Sequence, residues 1–331
     1  MTSMPQVRHK FAEGKPHKTL IWRKKGMVIR MNAVEINNLQ KNFGHKQVLK
    51  GLDMTVPEGS IYGFIGENGS GKSTTEKLIC GLLRPSGGSI RLFGRDYTDA
   101  DVRAKIGVLI ESPGCFPNAT VWNNMMLQAA NLGLKSPKEE VRKMLQLVRM
   151  EGAAGNKYKN CSLGMKQRIG IAMALLGEPE LLILDEPLNG LDADGMRIMR
   201  EVLVDITKSG KRTVVISSHL LGELEKIATH YGIVRGGKMI AEMSAGELEK
   251  SCRNYVAVMA KDMDAAKSML NRSYARVEQD EAGYLRVYDP VKPEQVAAFL
   301  YENGITVREL KTDKISLEEY YIDLMDAKGV R

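Results

Sequence analysis

The residues best suited to chemistry lie in one glycine-rich stretch, where residues 61–76 are IYGFIGENGSGKSTTE. An apolar strand pattern runs into Gly66, and Gly71, Lys72 and Ser73 precede a helical pattern. Backbone N–H groups and the dipole at a helix N-terminus attract phosphate. A lysine in such a loop reaches the β- and γ-phosphates, and the hydroxyl that follows it binds Mg²⁺. The spacing predicts a loop that binds a nucleoside triphosphate.

The whole turn is assigned to phosphate binding, because glycines let its backbone curl without Cβ clashes. Lys72 is also assigned a catalytic role, and Ser73 is predicted to bind Mg²⁺. The alternative is a glycine-rich turn without a ligand. The predicted nucleotide-binding residues here are Gly66, Glu67, Asn68, Gly69, Ser70, Gly71, Lys72, Ser73 and Thr74.

A second candidate is the acidic end of residues 181–187, which are LLILDEP. Four apolar residues predict a buried strand whose C-terminal edge carries Asp185 and Glu186, where open α/β sheets bind ligands. We predict that Asp185 holds Mg²⁺ and that Glu186 is the general base for an attacking water. The alternative is a solvated start of a loop.

His219 follows another predicted strand, in VVISSHLL. An uncharged imidazole at that edge can hydrogen-bond a γ-phosphate and help to orient the water, so His219 is a catalytic candidate. The remaining histidines are interpreted as structural or exposed, because only His219 follows a predicted sheet strand.

The length and composition of the chain limit its domain organisation and the kinds of site that it can contain. With 331 residues, the chain is long enough for two domains. No apolar run reaches the roughly 18 residues that a membrane-spanning helix needs. The four cysteines, Cys80, Cys115, Cys161 and Cys252, include no CxxC pair, so neither a disulfide framework nor a zinc site is predicted.

The net charge of +8 is concentrated at the N-terminus, where residues 1–30 hold eight Lys or Arg against one Glu. Residues 1–32 are predicted to be a disordered basic extension. It could touch anionic lipid or nucleic acid. The alternative is an upstream extension without a structural role, since Met27 and Met31 lie just before the first core strand.

Strand patterns alternate with helical patterns from residue 34 to 240, which predicts a sheet of parallel strands covered on both faces. The helix after the glycine-rich loop is predicted to continue to Leu83, and others to span 167–176 and 220–229. Residues 113–160 have apolar residues at helical spacing and are interpreted as a helical insertion.

In this order, the motifs of residues 33–245 resemble those of an ATP-binding cassette (ABC) ATPase. Residues 161–165, CSLGM, are similar to the family signature LSGGQ, and the resemblance assigns Ser162 and Gly164 to nucleotide binding. Asp192 matches the family's D-loop. Phe43 falls where an aromatic ring stacks on adenine, with Val48 beside it. The implied fold class is an α/β P-loop NTPase core with a helical subdomain at about 113–165.

The chain departs from the family pattern in two places. In the signature, Leu163 replaces the usual glycine and Cys161 replaces the usual leucine. Glu111 stands where most relatives carry a glutamine that touches Mg²⁺, and a glutamate can also bind the metal. With the SLGMKQR signature, Glu111 makes the chain similar to the branch that serves bacitracin and lantibiotic exporters and immunity pumps.

The resemblance implies an ATPase that uses ATP and Mg²⁺, acts as a head-to-tail homodimer and drives separate transmembrane permease subunits. It would lie on the cytoplasmic face of the membrane, with no nucleic acid as partner. The alternative is a soluble ABC ATPase acting on nucleic acid or ribosomes. A third possibility is a nucleotide-binding switch with negligible turnover, against which the intact Lys72, Asp185, Glu186 and His219 argue.

Residues 251–331 lie outside these motifs. Their predicted order of elements is β-α-β-β-α-β, followed by a last helix, which is typical of a ferredoxin-like unit. We interpret them as a small α+β accessory domain that regulates the ATPase or supports its dimer.

Overall fold

The computed structural model describes residues 22–24, 27–29, 31–251, 254–288 and 292–327. The strands are β1 (Trp22–Lys24), β2 (Met27–Ile29), β3 (Asn32–Phe43), β4 (Lys46–Pro57), β5 (Ile61–Ile65), β6 (Gly87–Leu92), β7 (Arg95–Asp96), β8 (Ile106–Leu109), β9 (Leu181–Asp185), β10 (Thr213–Ser218), β11 (His230–Arg235), β12 (Lys238–Ser244), β13 (Asn254–Ala260), β14 (Val277–Gln279), β15 (Leu285–Val287) and β16 (Val307–Lys314). The helices are α1 (Lys72–Ile79), α2 (Ala100–Arg103), α3 (Val121–Asn131), α4 (Pro137–Leu147), α5 (Leu163–Leu175), α6 (Ala193–Thr207), α7 (Leu221–Glu225), α8 (Ala245–Ser251), α9 (Met263–Ser273), α10 (Pro293–Glu302) and α11 (Leu317–Ala327).

The central sheet has the strand order β12-β11-β5-β10-β9-β8 and is parallel except for β12. The buried run Leu181–Leu184 explains the place of β9 inside it. In the register, Ser217 of β10 lies opposite Asp185 of β9 and Phe64 of β5. The predicted parallel sheet is confirmed, and its C-terminal edge brings the sequence motifs together.

A second, antiparallel sheet has the order β4-β3-β6-β7. Strand β4 buries every second residue at Leu52, Met54 and Val56, which form one apolar cluster with Tyr62 and Phe64 of β5. The sequence analysis predicted strands here but did not separate them from the parallel sheet. Alternation identifies a strand without identifying its partner.

Helix α1 ends at Ile79, so the prediction that it continues to Leu83 was wrong. Gly81 adopts the left-handed conformation with φ +69°. Its N–H donates to the Leu78 carbonyl at 3.0 Å, and the Leu82 N–H donates to the Lys77 carbonyl at 2.8 Å. These two bonds are a Schellman motif, which ends the helix.

Two other helix boundaries also differ from the predictions. Helix α5 starts at Leu163 rather than Gln167, because Ser162 caps it by accepting a hydrogen bond from the Met165 N–H. Helix α7 ends at Glu225, four residues short of the prediction. The segment between β8 and β9 contains α3, α4 and α5 and is helical, as expected.

The C-terminal residues have the observed order β13-α9-β14-β15-α10-β16-α11, and their antiparallel sheet has the order β14-β15-β13-β16. That is the strand arrangement of a ferredoxin-like unit. Helix α11 packs against α7, and the buried Leu317 and Met325 belong to the main apolar cluster of the central sheet.

The N-terminal segment has structure that the sequence analysis did not predict. Strands β1 and β2 pair antiparallel, and Asn32 opens β3, whereas the sequence analysis placed these residues in a disordered extension. The rest of the predicted extension 1–32, except residue 31, lies outside the described residues. Among the described residues, no helix has the length and apolar character needed to cross a membrane.

Candidate active site

A cavity of about 540 Å³ opens at the C-terminal end of the central sheet. This volume is within the range of small-molecule sites, roughly 300–1,000 Å³. Its lining brings together the glycine-rich loop and the acidic end of β9: Lys46, Gln47, Val48, Lys50, Glu67, Asn68, Gly69, Gly71, Lys72, Ser73, Thr74, Asp185, Glu186 and Gly236.

The glycine-rich loop is a tightly packed cradle. A Cβ on Gly66 would lie 2.5 Å from the Val234 carbonyl oxygen, and one on Gly71 would lie 2.6 Å from Leu49 Cδ2. Gly69 lines the cavity and has φ +80° with open space beside it, so no side chain obstructs the loop at this position. Among the described residues, the buried Ser70 hydroxyl has no hydrogen-bond partner.

Lys72 is buried at the first position of α1, and its ammonium donates hydrogen bonds back to the loop. The Nζ atom lies 2.5 Å from the Gly66 carbonyl oxygen and 3.2 Å from that of Glu67. Both of these contacts are to neutral carbonyls, so an anionic ligand can replace them as the partner of the ammonium group.

The two acids at the end of β9 have different surroundings. The Ser217 hydroxyl donates a hydrogen bond of 2.7 Å to Asp185 Oδ1, and Ser73 Oγ lies 3.5 Å from the same oxygen. Glu186 adopts a left-handed φ of +47°, and its N–H donates to the Ser217 carbonyl at 3.1 Å. Such backbone strain in a residue other than glycine clusters at functional sites.

His219 lies next to Glu186 although it does not line the cavity. Its Nδ1 atom is 2.8 Å from Glu186 Oε2, and its backbone N–H is 3.4 Å from the same oxygen. The histidine therefore holds the glutamate side chain at the cavity wall. An acceptor oxygen held this way can take a proton from a bound water.

Glu111 lies apart from this group. Its carboxylate forms an ion pair of 2.6 Å with Lys77 of α1 and is 70% exposed, and it also has a left-handed φ of +65°. The hydrogen bond from Lys77 and the lysine charge lower the pKa of Glu111. The structure does not place Glu111 among the residues that line the cavity.

The predicted adenine contacts lie at the open side. Phe43 is half exposed at the end of β3, with the Lys41 ammonium 5.0 Å from its ring centroid, and Val48 lines the cavity. Phe43 itself is not among the residues that line the cavity.

Three predicted nucleotide contacts lie away from the cavity of their own chain. Ser162 caps α5, Asp192 caps α6 by accepting a hydrogen bond of 2.9 Å from the Gly195 N–H, and Gly164 lies against Leu191. The departure at Leu163 is accommodated by Gly190, since a Cβ at that glycine would collide with the Leu163 side chain.

Comparison with known proteins identifies the family. The family model described as "ABC transporter" matches residues 49–189. A bacitracin transport ATP-binding protein of Bacillus licheniformis is 35% identical over 88% of this chain and 97% of its own length. The chain belongs to the ATP-binding proteins of ABC transporters. It is the ATP-binding subunit of such a transporter, and it is an ABC-type ATPase.

Other similar proteins and a solved structure indicate the same family for this ABC ATPase. A bacitracin transport ATP-binding protein of Enterococcus faecalis is 36% identical, covering 92% of this chain and all of its own. A lantibiotic transport ATP-binding protein of Streptococcus pyogenes is 40% identical over 63% of this chain and 90% of its own. A solved "ATP binding subunit of ABC transporter" superposes with a TM-score of 0.60 at 27% identity, covering 66% of this chain and 92% of that one.

The donor set of this ABC ATPase fits Mg²⁺ bound together with a nucleotide. Among residues 31–249, 255–288 and 292–326, no three His, Cys, Asp or Glu side chains form a metal cage. Mg²⁺ is usually held by one or two carboxylates together with substrate phosphates rather than by such a cage. Ser73 Oγ and Asp185 Oδ1 lie 3.5 Å apart and would supply oxygen ligands for such an ion.

The sequence analysis missed several residues of the site. Lys46 and Lys50 line the cavity on either side of Val48, and the period of two along β4 could have revealed them. Ser217, which fixes Asp185, and Gly236 of the β11–β12 turn had no comparable signal. Their roles depend on contacts between distant segments, such as the 2.9 Å bond from the Lys50 N–H to the Gly237 carbonyl.

Proposed function

We propose that this ABC ATPase powers export of an antimicrobial peptide through separate permease subunits, from the cytoplasmic face of the membrane. The names of its relatives support this substrate class, since they transport bacitracin or a lantibiotic. Energy for transport comes from hydrolysis of ATP to ADP and phosphate at the cavity described above.

The observation that carries the hydrolytic mechanism is that the phosphate loop and the acidic end of β9 line one cavity. Lys72 exchanges its contacts with loop carbonyls for the β- and γ-phosphates of ATP. Glu186, held 2.8 Å from His219, polarises the attacking water, and His219 contacts the γ-phosphate. Ser73 and Asp185 would hold Mg²⁺, which would supply positive charge to balance that of the phosphates.

We further propose that the site is completed by a second copy. Ser162, Gly164 and Asp192 lie away from the cavity of their own chain, so they are available to contact ATP bound by a partner. With one copy of each motif per chain, a head-to-tail dimer has two equivalent sites and an isologous contact. Phe43 would stack on the adenine, with Val48 beside it.

Residues 33–245 are proposed to be the ATPase domain, with the helical subdomain at about 113–165 as its permease-docking face. A groove of about 390 Å³ where β8 meets the helical subdomain carries Val108 and Leu132. Both side chains are exposed and apolar, as is Leu82 beside them.

Residues 251–331 are proposed to be an accessory domain, and residues 1–32 an extension without a role in catalysis. Glu111, next to this groove, is proposed to bind Mg²⁺ after leaving Lys77.

The test is affinity purification of the tagged full-length chain from membranes, with identification of the co-purifying permease by mass spectrometry. Leu132→Glu places a charge in the groove and is expected to reduce the yield of permease. Leu127→Glu is the matched control, because Leu127 is also 45% exposed on the same segment but does not line the groove. Equal yields from both variants would reject the groove as the docking site. Absence of any co-purifying membrane protein would contradict the proposed association with separate permease subunits.

The peptide substrate is tested in cells that express the chain together with that permease. We expect higher tolerance of bacitracin or a lantibiotic than in cells with the Glu186→Gln variant. Equal tolerance would contradict the proposed substrate class while leaving ATP hydrolysis intact.

A further inference from the structure

The end of β11 and the turn that follows it hold the phosphate loop from behind. The Gly237 N–H donates a hydrogen bond of 3.0 Å to the Ser70 carbonyl of the loop, and the Lys50 N–H donates one of 2.9 Å to the Gly237 carbonyl. A Cβ on Gly66, where the loop begins, would lie 2.5 Å from the Val234 carbonyl oxygen. The turn therefore contacts the loop directly and joins it to β4.

This β11–β12 turn is packed closely beside the nucleotide cavity. Gly236 lines the cavity, and Gly236 and Gly237 have φ of +56° and +82°. A Cβ on Gly237 would collide with the Val48 carbonyl. A displacement of the turn would therefore move a wall of the cavity together with the loop that is bonded to it.

Arg235, the last residue of β11, connects this turn to helix α11 of the C-terminal part of the chain. Its Nη1 atom donates a hydrogen bond of 2.8 Å to the Met325 carbonyl, which lies in the last turn of α11. The last carbonyls of a helix lack partners within it and carry the negative end of its dipole, so they suit a guanidinium group. The bond ties the end of α11 to the residue next to Gly236.

Helix α11 also adjoins the site at two other places. The Leu317 N–H donates a hydrogen bond of 3.4 Å to Glu225 Oε2 of α7, the helix that follows β10. Burial raises the pKa of Tyr321 on α11; the charge of Glu67 in the phosphate loop raises it further, and Arg235 opposes the rise. The surroundings of α11 therefore include the phosphate loop as well as the turn behind it.

We propose that Arg235 is a positioning residue, whose bond to α11 holds the β11–β12 turn, and through it the phosphate loop, in the shape that binds ATP. The C-terminal part of the chain then contributes to ATP affinity, although none of its described residues lines the cavity. This inference rests on the proposed assignment of the cavity to ATP. Because coupling between two sites is reciprocal, bound ATP must in turn stabilise the packing of α11.

Calorimetric titration of the full chain with a non-hydrolysable ATP analogue and Mg²⁺ tests the link. Arg235→Met retains an unbranched side chain without a donor and is expected to weaken binding by about 5-fold or more, the lower end of typical couplings. Arg235→Lys retains a charged donor and should bind more tightly than Arg235→Met. Arg276→Met is the matched control, because Arg276 also approaches α11, 4.0 Å from Asp323, but lies within the C-terminal part. It should bind the analogue normally.

Hydrogen exchange of the unaltered chain gives a second measurement, which does not depend on the folding of a variant. The analogue is expected to slow exchange of the α11 amides, because it stabilises their packing. Helix α10 packs in the separate apolar cluster of the C-terminal sheet and should not change. In Arg235→Met, the slowing at α11 should be lost.

Unchanged affinity in Arg235→Met would overturn the proposal. An equal loss in Arg276→Met would also overturn it, because general loosening of α11 would then explain the effect. A loss in Arg235→Lys as large as that in Arg235→Met would reject the hydrogen bond as the cause. If the analogue does not slow exchange of α11 in the unaltered chain, α11 and the nucleotide site are not coupled.

Lys72→Met separates this inference from the proposed function. If Lys72→Met weakens binding of the analogue and Arg235→Met does not, only the role of Arg235 is wrong. If Lys72→Met leaves the affinity unchanged, the assignment of the cavity to ATP is wrong, and the role of Arg235 is rejected with it.

Discussion

The Nδ1 atom of His219 lies 2.8 Å from Oε2 of Glu186. The two residues follow neighbouring parallel strands, β10 and β9, and are 33 positions apart in the chain. The sheet therefore brings a candidate base and its orienting partner together. Groups that the fold itself positions need less reorganisation during catalysis.

Glu186→Gln should retain ATP binding and lose turnover, because the amide cannot accept the proton of the attacking water. The expected fall in kcat is about 10²- to 10⁴-fold, the usual contribution of a general base. Size-exclusion chromatography with ATP should then reveal a trapped dimer. Glu302→Gln, on an exposed face of α10, is the control that should leave turnover unchanged. Normal hydrolysis by Glu186→Gln would remove Glu186 from its role.

Gly71→Ala should weaken ATP binding severely. Its Cβ would lie 2.6 Å from Leu49 Cδ2, and φ is +114°, so the loop must shift away from its phosphate-binding shape. Gly44→Ala is a matched control with a positive φ of +56° and open space around it. A residue other than glycine that is held at a positive φ costs about 1–3 kcal/mol. Calorimetric titration with ATP checks this, and equal affinities for the two variants would contradict it.

Lys77→Met should lower the Mg²⁺ concentration that gives half-maximal ATPase activity by a few-fold. The lysine holds Glu111 in a 2.6 Å ion pair, so it competes with the metal for that carboxylate. Lys226→Met serves as the control, since Lys226 forms a comparable surface pair of 2.7 Å with Glu223. If the half-maximal Mg²⁺ concentration stays the same or rises, Glu111 does not leave Lys77 for the metal.

Leu317→Ala should destabilise the ATPase as a whole rather than only its C-terminal part. Leu317 is fully buried in the main apolar cluster, and Arg235 of β11 donates a 2.8 Å hydrogen bond to the Met325 carbonyl of the same helix, α11. The expected loss is about 2–5 kcal/mol. Denaturant unfolding measures the free energy of unfolding. Tyr301→Ala, at an 82% exposed position, is the neutral control. A separate early transition that leaves the unfolding of the ATPase core unchanged would contradict the prediction.

Much of the site was predictable because its motifs are local. The run from Gly66 to Ser73 dictates a turn and a helix start through glycine conformations and the dipole, whatever surrounds it. The apolar run before Asp185 likewise fixes a buried strand. Since parallel strands end at one sheet edge, the meeting of Lys72, Asp185 and Glu186 at one cavity followed from these patterns.

The tertiary structure alone decided which side chains face one another. The Lys77–Glu111 pair and the bond from Ser217 to Asp185 join segments that are far apart in the chain. The sequence determined the local backbone conformations of the motifs and the kind of ligand that they bind, because both depend on residues that are neighbours along the chain. The partner of a charged side chain and the burial of a residue depend on distances across the fold. The spacing of residues along the sequence does not predict those distances.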